Sequence, residues 1–223
     1  MVVAGGTGTR MRQPTAKQFI VLEGLPLLWW TLRRFREALG DDVDVTLVLH
    51  ADLMQTWHQL QATHGPAGVK RVVPGGAERF HSVRAGLATL EPGGVVGIHD
   101  AVRPFVSVEV IRHCFETAAA QGCAVPAVAV KDSIRQVHGA ASWALERQAL
   151  RAVQTPQCFQ LDLLRAAYEV PYRPEFTDDA SVFEFAGHPI HLVPGDERNI
   201  KLTTPEDLAI AAAFLRQDLS SSR

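Results

Sequence analysis

No run of this sequence approaches the roughly 18 consecutive apolar residues that cross a bilayer, and no charged-then-apolar leader opens it. Both absences predict a soluble protein of the cytoplasm. Cysteine is sparse: Cys114, Cys123 and Cys158 are three in number, widely spaced and without a CxxC pair. That pattern fits a reducing compartment and argues against a disulfide frame or a zinc site. Lysine occurs only at Lys17, Lys70, Lys131 and Lys201, and the net charge is −2. There is thus no global field to gather nucleic acid or a membrane surface, and an anion site must concentrate its cations locally.

Several signatures are missing as well. No HExxH or other convincing metal pair occurs among the histidines, and no GxSxG nucleophile elbow is present. Gly6-Thr7-Gly8-Thr9-Arg10-Met11 begins like a dinucleotide fingerprint but carries Met11 in place of the third glycine. The second predicted strand ends at Leu49-His50, without the acid that would hold a ribose hydroxyl. A glycine-lysine-serine or glycine-lysine-threonine step is absent too, which removes the Walker loop.

What is present is an ordinary globular composition, 47% hydrophobic and 21% charged, over 223 residues. That length allows one large α/β domain or two small ones, with a substantial core. Apolar bursts alternate with amphipathic stretches, the βαβα pattern of a mostly parallel sheet covered on both faces. The spacing predicts a first strand ending near Ala4, extended chain over 19–22, and a helix from Leu27 to Leu39 stopped by Gly40. Strands follow at 42–49, 71–73, 94–98, 123–130 and 189–193. Helices follow at 51–64, 78–90, 108–121 and 161–170, then after an N-cap at Thr177, and finally from the Thr204-Pro205-Glu206-Asp207 start to about Leu215. Between Val130 and Thr155 the rhythm breaks into a rough two-residue period with a turn at 138–141. This reads either as a hairpin whose second arm spans 143–153 or as a loop excursion. The chain is expected to be a single domain over 1–223 with 131–154 as an inserted β-arm.

The candidate chemistry lies at predicted strand ends, which open onto one edge of a parallel sheet. Gly5 to Lys17 combines glycines, which permit close backbone approach to an anion, with Arg10 and Lys17 as cations. Gly75-Gly76 and Ser82 sit between a strand and a helix, where a backbone amide or hydroxyl can read a base or a phosphate. Asp100, at the end of the most apolar strand, has the chemistry of a Mg²⁺ ligand, and Arg103 can pair with it.

Taken together, AGGTGTRM with Lys17-Gln18, then GGAERFHSV, HDAVRP, KDS, VQTPQ, TDDAS and NIKLTTPEDL resemble the 2-C-methyl-D-erythritol 4-phosphate cytidylyltransferases, in that family's order, from Val2 to about Leu215. The resemblance implies a Rossmann-like, mostly parallel α/β nucleotidyltransferase fold of GT-A type, with an extended β-hairpin arm that makes a homodimer. It implies that CTP and methylerythritol phosphate give CDP-methylerythritol and pyrophosphate, with Mg²⁺, in non-mevalonate isoprenoid synthesis. Arg10, Lys17 and Lys201 match the catalytic cations. Ala4, Gly5, Gly6, Thr7, Gly8, Gly76, Ser82 and Asp100 match nucleotide-site positions, with Asp100 also the metal ligand. Arg103, Ser133, Arg147, Thr155 and Thr177 match positions that contact the sugar phosphate or order its pocket, Ser133 and Arg147 serving the partner's site. Ala16 stands where the family usually has proline, which predicts looser geometry at Lys17, and Ser133 stands for the usual threonine. Family members also have a slightly longer first strand. The rival readings are a ribitol-5-phosphate cytidylyltransferase and a non-catalytic nucleotide sensor on the same fold.

Overall fold

The structure, a computed structural model, describes residues 1–5 and 15–221. The expected site residues Gly6, Thr7, Gly8 and Arg10 lie outside the described residues. In chain order come β1 (Val2–Ala4), a 3₁₀ turn (Lys17–Phe19), a small ladder of β2 (Val21–Leu22) and β3 (Leu25–Pro26), α1 (Leu27–Leu39), β4 (Val45–Leu49) and α2 (Met54–His64). They are followed by β5 (Val69–Pro74), α3 (Arg79–Leu87), β6 (Val95–Asp100), α4 (Val108–Gln121) and β7 (Cys123–Ala129). The chain ends with β8 (Arg135–His138), β9 (Ala141–Ala144), β10 (Arg151–Val153), β11 (Gln157–Gln160), α5 (Leu161–Ala167), α6 (Asp179–Phe185), β12 (Leu192–Pro194) and α7 (Pro205–Ser221).

One half of the main sheet is parallel: β5, β4, β1 and β6 lie side by side, with Val3 opposite Val48 and Asp100. Every residue of β4 is buried, because helices cover both faces and the segment Val45-Thr46-Leu47-Val48-Leu49 is rich in β-branched side chains. Trp57 of α2 is fully buried and packs on Trp29 of α1 with ring centroids 4.9 Å apart. Helix α1 keeps the predicted bounds. Pro26 supplies the extended residue before it, and Gly40, at φ 89°, ends it in a conformation that a side chain would resist. Helix α4 also matches, with the Ser107 hydroxyl accepting the Val110 N–H at 3.3 Å as its cap.

The other half of the sheet departs from expectation. β11 inserts antiparallel between β6 and β7, and β10 continues antiparallel on β7 while β12 runs parallel to it. Four residues bounded by a proline carry too little periodicity to announce such a strand. Arg151–Val153, expected in the returning arm of a hairpin, therefore belongs to the main sheet. The hairpin itself is the short pair β8–β9, joined through Gly139 at φ 59°, and all eight of its strand residues are exposed. The predicted cap at Thr177 is one residue early. Asp178 caps α6, its carboxylate accepting the Ser181 N–H at 2.9 Å while the Ser181 hydroxyl closes a capping box. The last helix runs to Ser221 rather than Leu215.

Candidate active site

The C-terminal ends of the parallel strands border a cleft of about 430 Å³, whose lining includes Ala4, Gly5, Lys17, Gly76, Ser82, Asp100 and Lys201. Each is placed by its neighbours. The Lys17–Phe19 turn is anchored because Phe19 is buried and the Gln18 side-chain amide donates to the Ala4 carbonyl at 3.0 Å. That leaves Lys17 on the cleft side. Ala16 holds φ −55° and ψ 133°, angles that proline could also adopt. At the next strand end, the Ser82 hydroxyl accepts the Gly76 N–H at 3.2 Å and donates to the Glu78 carbonyl at 3.1 Å. A Cβ at Gly75 would stand 2.9 Å from that hydroxyl oxygen, and one at Gly76 only 2.4 Å from the His81 Cβ. Close approach of the loop to α3 is what requires glycine here.

Asp100 is the electrostatic centre. Its Oδ2 meets Lys201 Nζ at 2.9 Å and Arg103 Nε at 3.3 Å, while Oδ1 faces Arg79 Nε at 3.9 Å. Burial by itself would raise the Asp100 pKa. The charges of Arg79, Lys201 and Arg103 outweigh it and hold the carboxyl well below the usual range. Lys201 is delivered by its backbone: Arg103 Nη1 donates to the Asn199 carbonyl at 2.7 Å, and the Leu202 N–H to the Val102 carbonyl at 3.0 Å. Asn199 is itself buried, donating to the Thr155 carbonyl at 2.8 Å.

Behind Asp100 lies a fully buried histidine. Thr155 Oγ1 accepts the Asp100 N–H at 3.1 Å and lies 3.0 Å from His99 Nδ1. His99 Nε2 lies 3.1 Å from the Arg103 carbonyl, which can only accept. The ring must therefore carry its proton on Nε2 and receive the Thr155 hydroxyl proton at Nδ1. Burial lowers the His99 pKa to about 4, so the neutral ring is the stable form near pH 7.

Of the expected site residues, seven are thus gathered in the cleft lining. Arg103 is joined to them through Asp100, and Thr155 supports them from beneath. Thr177, Ser133 and Arg147 are exposed and do not line the cleft of their own chain. Three residues went unassigned in the sequence. Arg79 lines the cleft, Asp179 is buried and accepts from Arg79, and His99 orders Thr155. Arg79 stands inside the glycine-pair motif, and its position at a helix start was the available signal. Nothing in the sequence pairs it with Asp179.

The donor set at Asp100 fits a divalent cation held mainly by a substrate's phosphates. A single carboxylate suffices there, and among the described residues Oδ1 has only the long contact with Arg79. No group of three or more His, Cys, Asp or Glu side chains suited to a metal occurs among the described residues.

A parallel sheet edge that collects a glycine-bearing loop, two lysines and a buried carboxylate defines an α/β nucleotidyltransferase. A family model described as 2-C-methyl-D-erythritol 4-phosphate cytidylyltransferase matches residues 1–217. A protein of that description from Bacteroides thetaiotaomicron is 44% identical over 215 residues, spanning 96% of this chain and 98% of the relative. The solved structure of a 2-C-methyl-D-erythritol 4-phosphate cytidylyltransferase from Thermus thermophilus aligns with a TM-score of 0.74 at 32% identity, over 96% of this chain and 97% of that one. That of a 4-diphosphocytidyl-2C-methyl-D-erythritol synthase from Anaerococcus prevotii gives 0.80 at 28% identity, over 96% and 94%. The chain belongs to the 2-C-methyl-D-erythritol 4-phosphate cytidylyltransferase family.

Proposed function

We propose that the protein transfers a cytidylyl group from CTP to 2-C-methyl-D-erythritol 4-phosphate, releasing pyrophosphate. Besides family membership, the observation that carries this reading is Asp100 held ionised at the sheet edge among Lys201, Arg103 and Arg79. An acceptor phosphate oxygen attacks the α-phosphorus of CTP, and the bond from that phosphorus to the bridging oxygen of the departing pyrophosphate breaks. A phosphate monoester is already ionised near neutral pH, so no general base is required. The obstacle is to bring one anion onto another and to stabilise charge on the in-line transition state. Lys201 serves the α-phosphate, and Lys17 the phosphates of the leaving group, in company with Arg10. The Gly76 backbone and Ser82 read the cytosine, while Asp100 orients Lys201 on the ribose side. Asp100, together with phosphate oxygens of the substrate, would hold Mg²⁺, which would supply charge neutralisation.

Pyrophosphate release is expected only when CTP, Mg²⁺ and methylerythritol phosphate are present together, and chelation with EDTA abolishes it. Release with ribitol 5-phosphate instead overturns the acceptor assignment. No release with any polyol phosphate favours the nucleotide sensor.

The same reading makes the chain a cytoplasmic homodimer in which β8–β9 and the segment around it reach the partner's cleft. Exposed Val137 and Trp143 support the contact, and three unpaired cysteines support the compartment. Arg147→Ala is expected to leave CTP binding intact and to raise the acceptor KM roughly 10- to 100-fold, the worth of a charge-assisted hydrogen bond. Mixed with an inactive Lys201→Ala protein it regains activity, because one site of each heterodimer then holds both residues. Equal loss of CTP and acceptor binding, or no recovery on mixing, refutes the cross-subunit role.

A further inference from the structure

Arg79 lines the cleft, and the proposed reaction gives it no step. We propose that Arg79 is a positioning residue that ties the nucleotide half of the cleft to the acceptor half and couples their occupancy. The inference rests on the two-substrate reading above.

Arg79 opens α3, directly after the loop that carries Gly76. Its guanidinium reaches across to the start of α6, where Nη1 and Nη2 donate to Asp179 Oδ1 and Oδ2 at 2.8 and 2.6 Å. This is a planar, two-bond fork, which fixes orientation as well as distance. Asp179 cannot drift, because it is fully buried and its Oδ1 also accepts the Tyr168 hydroxyl at 2.7 Å. Its neighbours are pinned too. Gln157 donates to Asp178 Oδ2 at 2.7 Å and accepts the Ala180 N–H at 2.9 Å, which fastens the start of α6 to β11. The third guanidinium nitrogen, Nε, lies 3.9 Å from Asp100 Oδ1. One rigid group therefore spans three places: the Gly76–Ser82 loop, the Asp100 carboxylate, and the segment that begins at Thr177.

The arrangement has a consequence for Lys201. Its side chain is 44% exposed, and with one of its three N–H donors on Asp100 it keeps two with which to approach a phosphate. Arg79 and Arg103 share in compensating the Asp100 charge. A nucleotide that seats the Gly76 loop also sets the Arg79 guanidinium against the fixed Asp179 carboxylate beside Thr177, and an acceptor bound there returns the same advantage to the nucleotide. Such coupling is reciprocal by linkage and is commonly worth about 5- to 150-fold in affinity.

The test is calorimetric titration with α,β-methylene CTP, an unreactive analogue, in the presence and absence of methylerythritol phosphate. The native protein is expected to bind the analogue at least fivefold more tightly when the acceptor is present. Arg79→Lys keeps a charge but loses the fork. It is expected to bind the analogue alone within about twofold of native, to lose most of the coupling, and to raise the acceptor KM more than it lowers kcat. Should Arg79→Lys fold poorly, Arg79→Met with Asp179→Asn removes the buried charges together and retains an acceptor for Tyr168. That double variant is expected to melt near the native temperature and to show no coupling. Native-sized coupling in either folded variant overturns the proposal, as does a native protein that turns over without coupling. A native protein that neither binds the analogue nor turns over sinks the cytidylyltransferase reading itself, a result distinguishable from the others.

Discussion

Replacing Lys201 with alanine lowers kcat by about 10²–10³, the cost of deleting one preorganised group that stabilises transition-state charge. The protein remains folded. Lys201 is 44% exposed at its side chain, and its departure leaves Asp100 with Arg103 Nε at 3.3 Å and Arg79 Nε at 3.9 Å. The carboxylate therefore keeps compensating charge, and the loss falls on chemistry rather than on the core. The measurement is pyrophosphate release at saturating CTP and acceptor, beside a thermal melt of the same preparation. A rate within tenfold of native would falsify the assignment of Lys201 to the transition state. A collapsed melt would instead place its role in holding Asp100. Lysine reaches its phosphate from a backbone clamped between Val102 and Arg103, so substituting arginine is not expected to restore the rate in full.

Stability falls by roughly 3 kcal/mol through His99 alone as the pH drops from about 6.5 to 4. The sign follows from the two states. In the unfolded chain the imidazole has its ordinary pKa of 6.5, whereas burial lowers it to about 4 in the fold. Between those values the unfolded state takes up the proton first, so His99's contribution is complete above 6.5 and drains away as the pH falls. The structural correlate is local. Nδ1 must accept from Thr155, Nε2 donates to the Arg103 carbonyl, and Phe35 packs edge-on with ring centroids 4.9 Å apart. A second proton would turn Nδ1 from acceptor to donor and oblige the Thr155 hydroxyl to turn away. Asp100 does not blur the reading, since its pKa is held well below the usual carboxylate range and its contribution is lost only at more acid pH. Urea unfolding at pH 7, 5.5 and 4.5 checks the prediction against His99→Gln, which keeps a donor for the Arg103 carbonyl but does not titrate. Identical pH dependence in the two proteins would remove His99 as the cause.

The legible part of the fold was what local sequence dictates. Helix α1 could be bounded to the residue because Pro26 and Gly40 restrict the backbone on either side of an amphipathic run. Buried β4 was legible from its β-branched density, although its first residues proved to be loop. The strand-end residues Ala4, Gly5, Gly76 and Asp100 could be placed on one edge because parallel strands share a direction. Lys17 was legible as a cation of the glycine loop, Lys201 entered through motif resemblance, and both line the same cleft.

Other features had no local signal. β11 is too short to show a period, and its antiparallel insertion depends on β6 and β7 closing around it. The cap of α6 fell on Asp178 rather than Thr177 because its two carboxylate oxygens accept separately, Oδ1 from the Ser181 N–H and Oδ2 from the distant Gln157 amide. His99 looked like one of several scattered histidines until burial placed it behind Asp100.

The sequence by itself determined the alternation of strands and helices, the glycines that allow close approach, and the kinds of charge available at the sheet edge. Tertiary structure alone decided which charges meet. The fork between Arg79 and Asp179 joins residues 100 positions apart, and the ring of cations around Asp100 is assembled from α3, the turn after β6 and the segment before α7. Periodicity and capping act over a few residues, whereas an ion pair requires only proximity, which the packed sheet supplies.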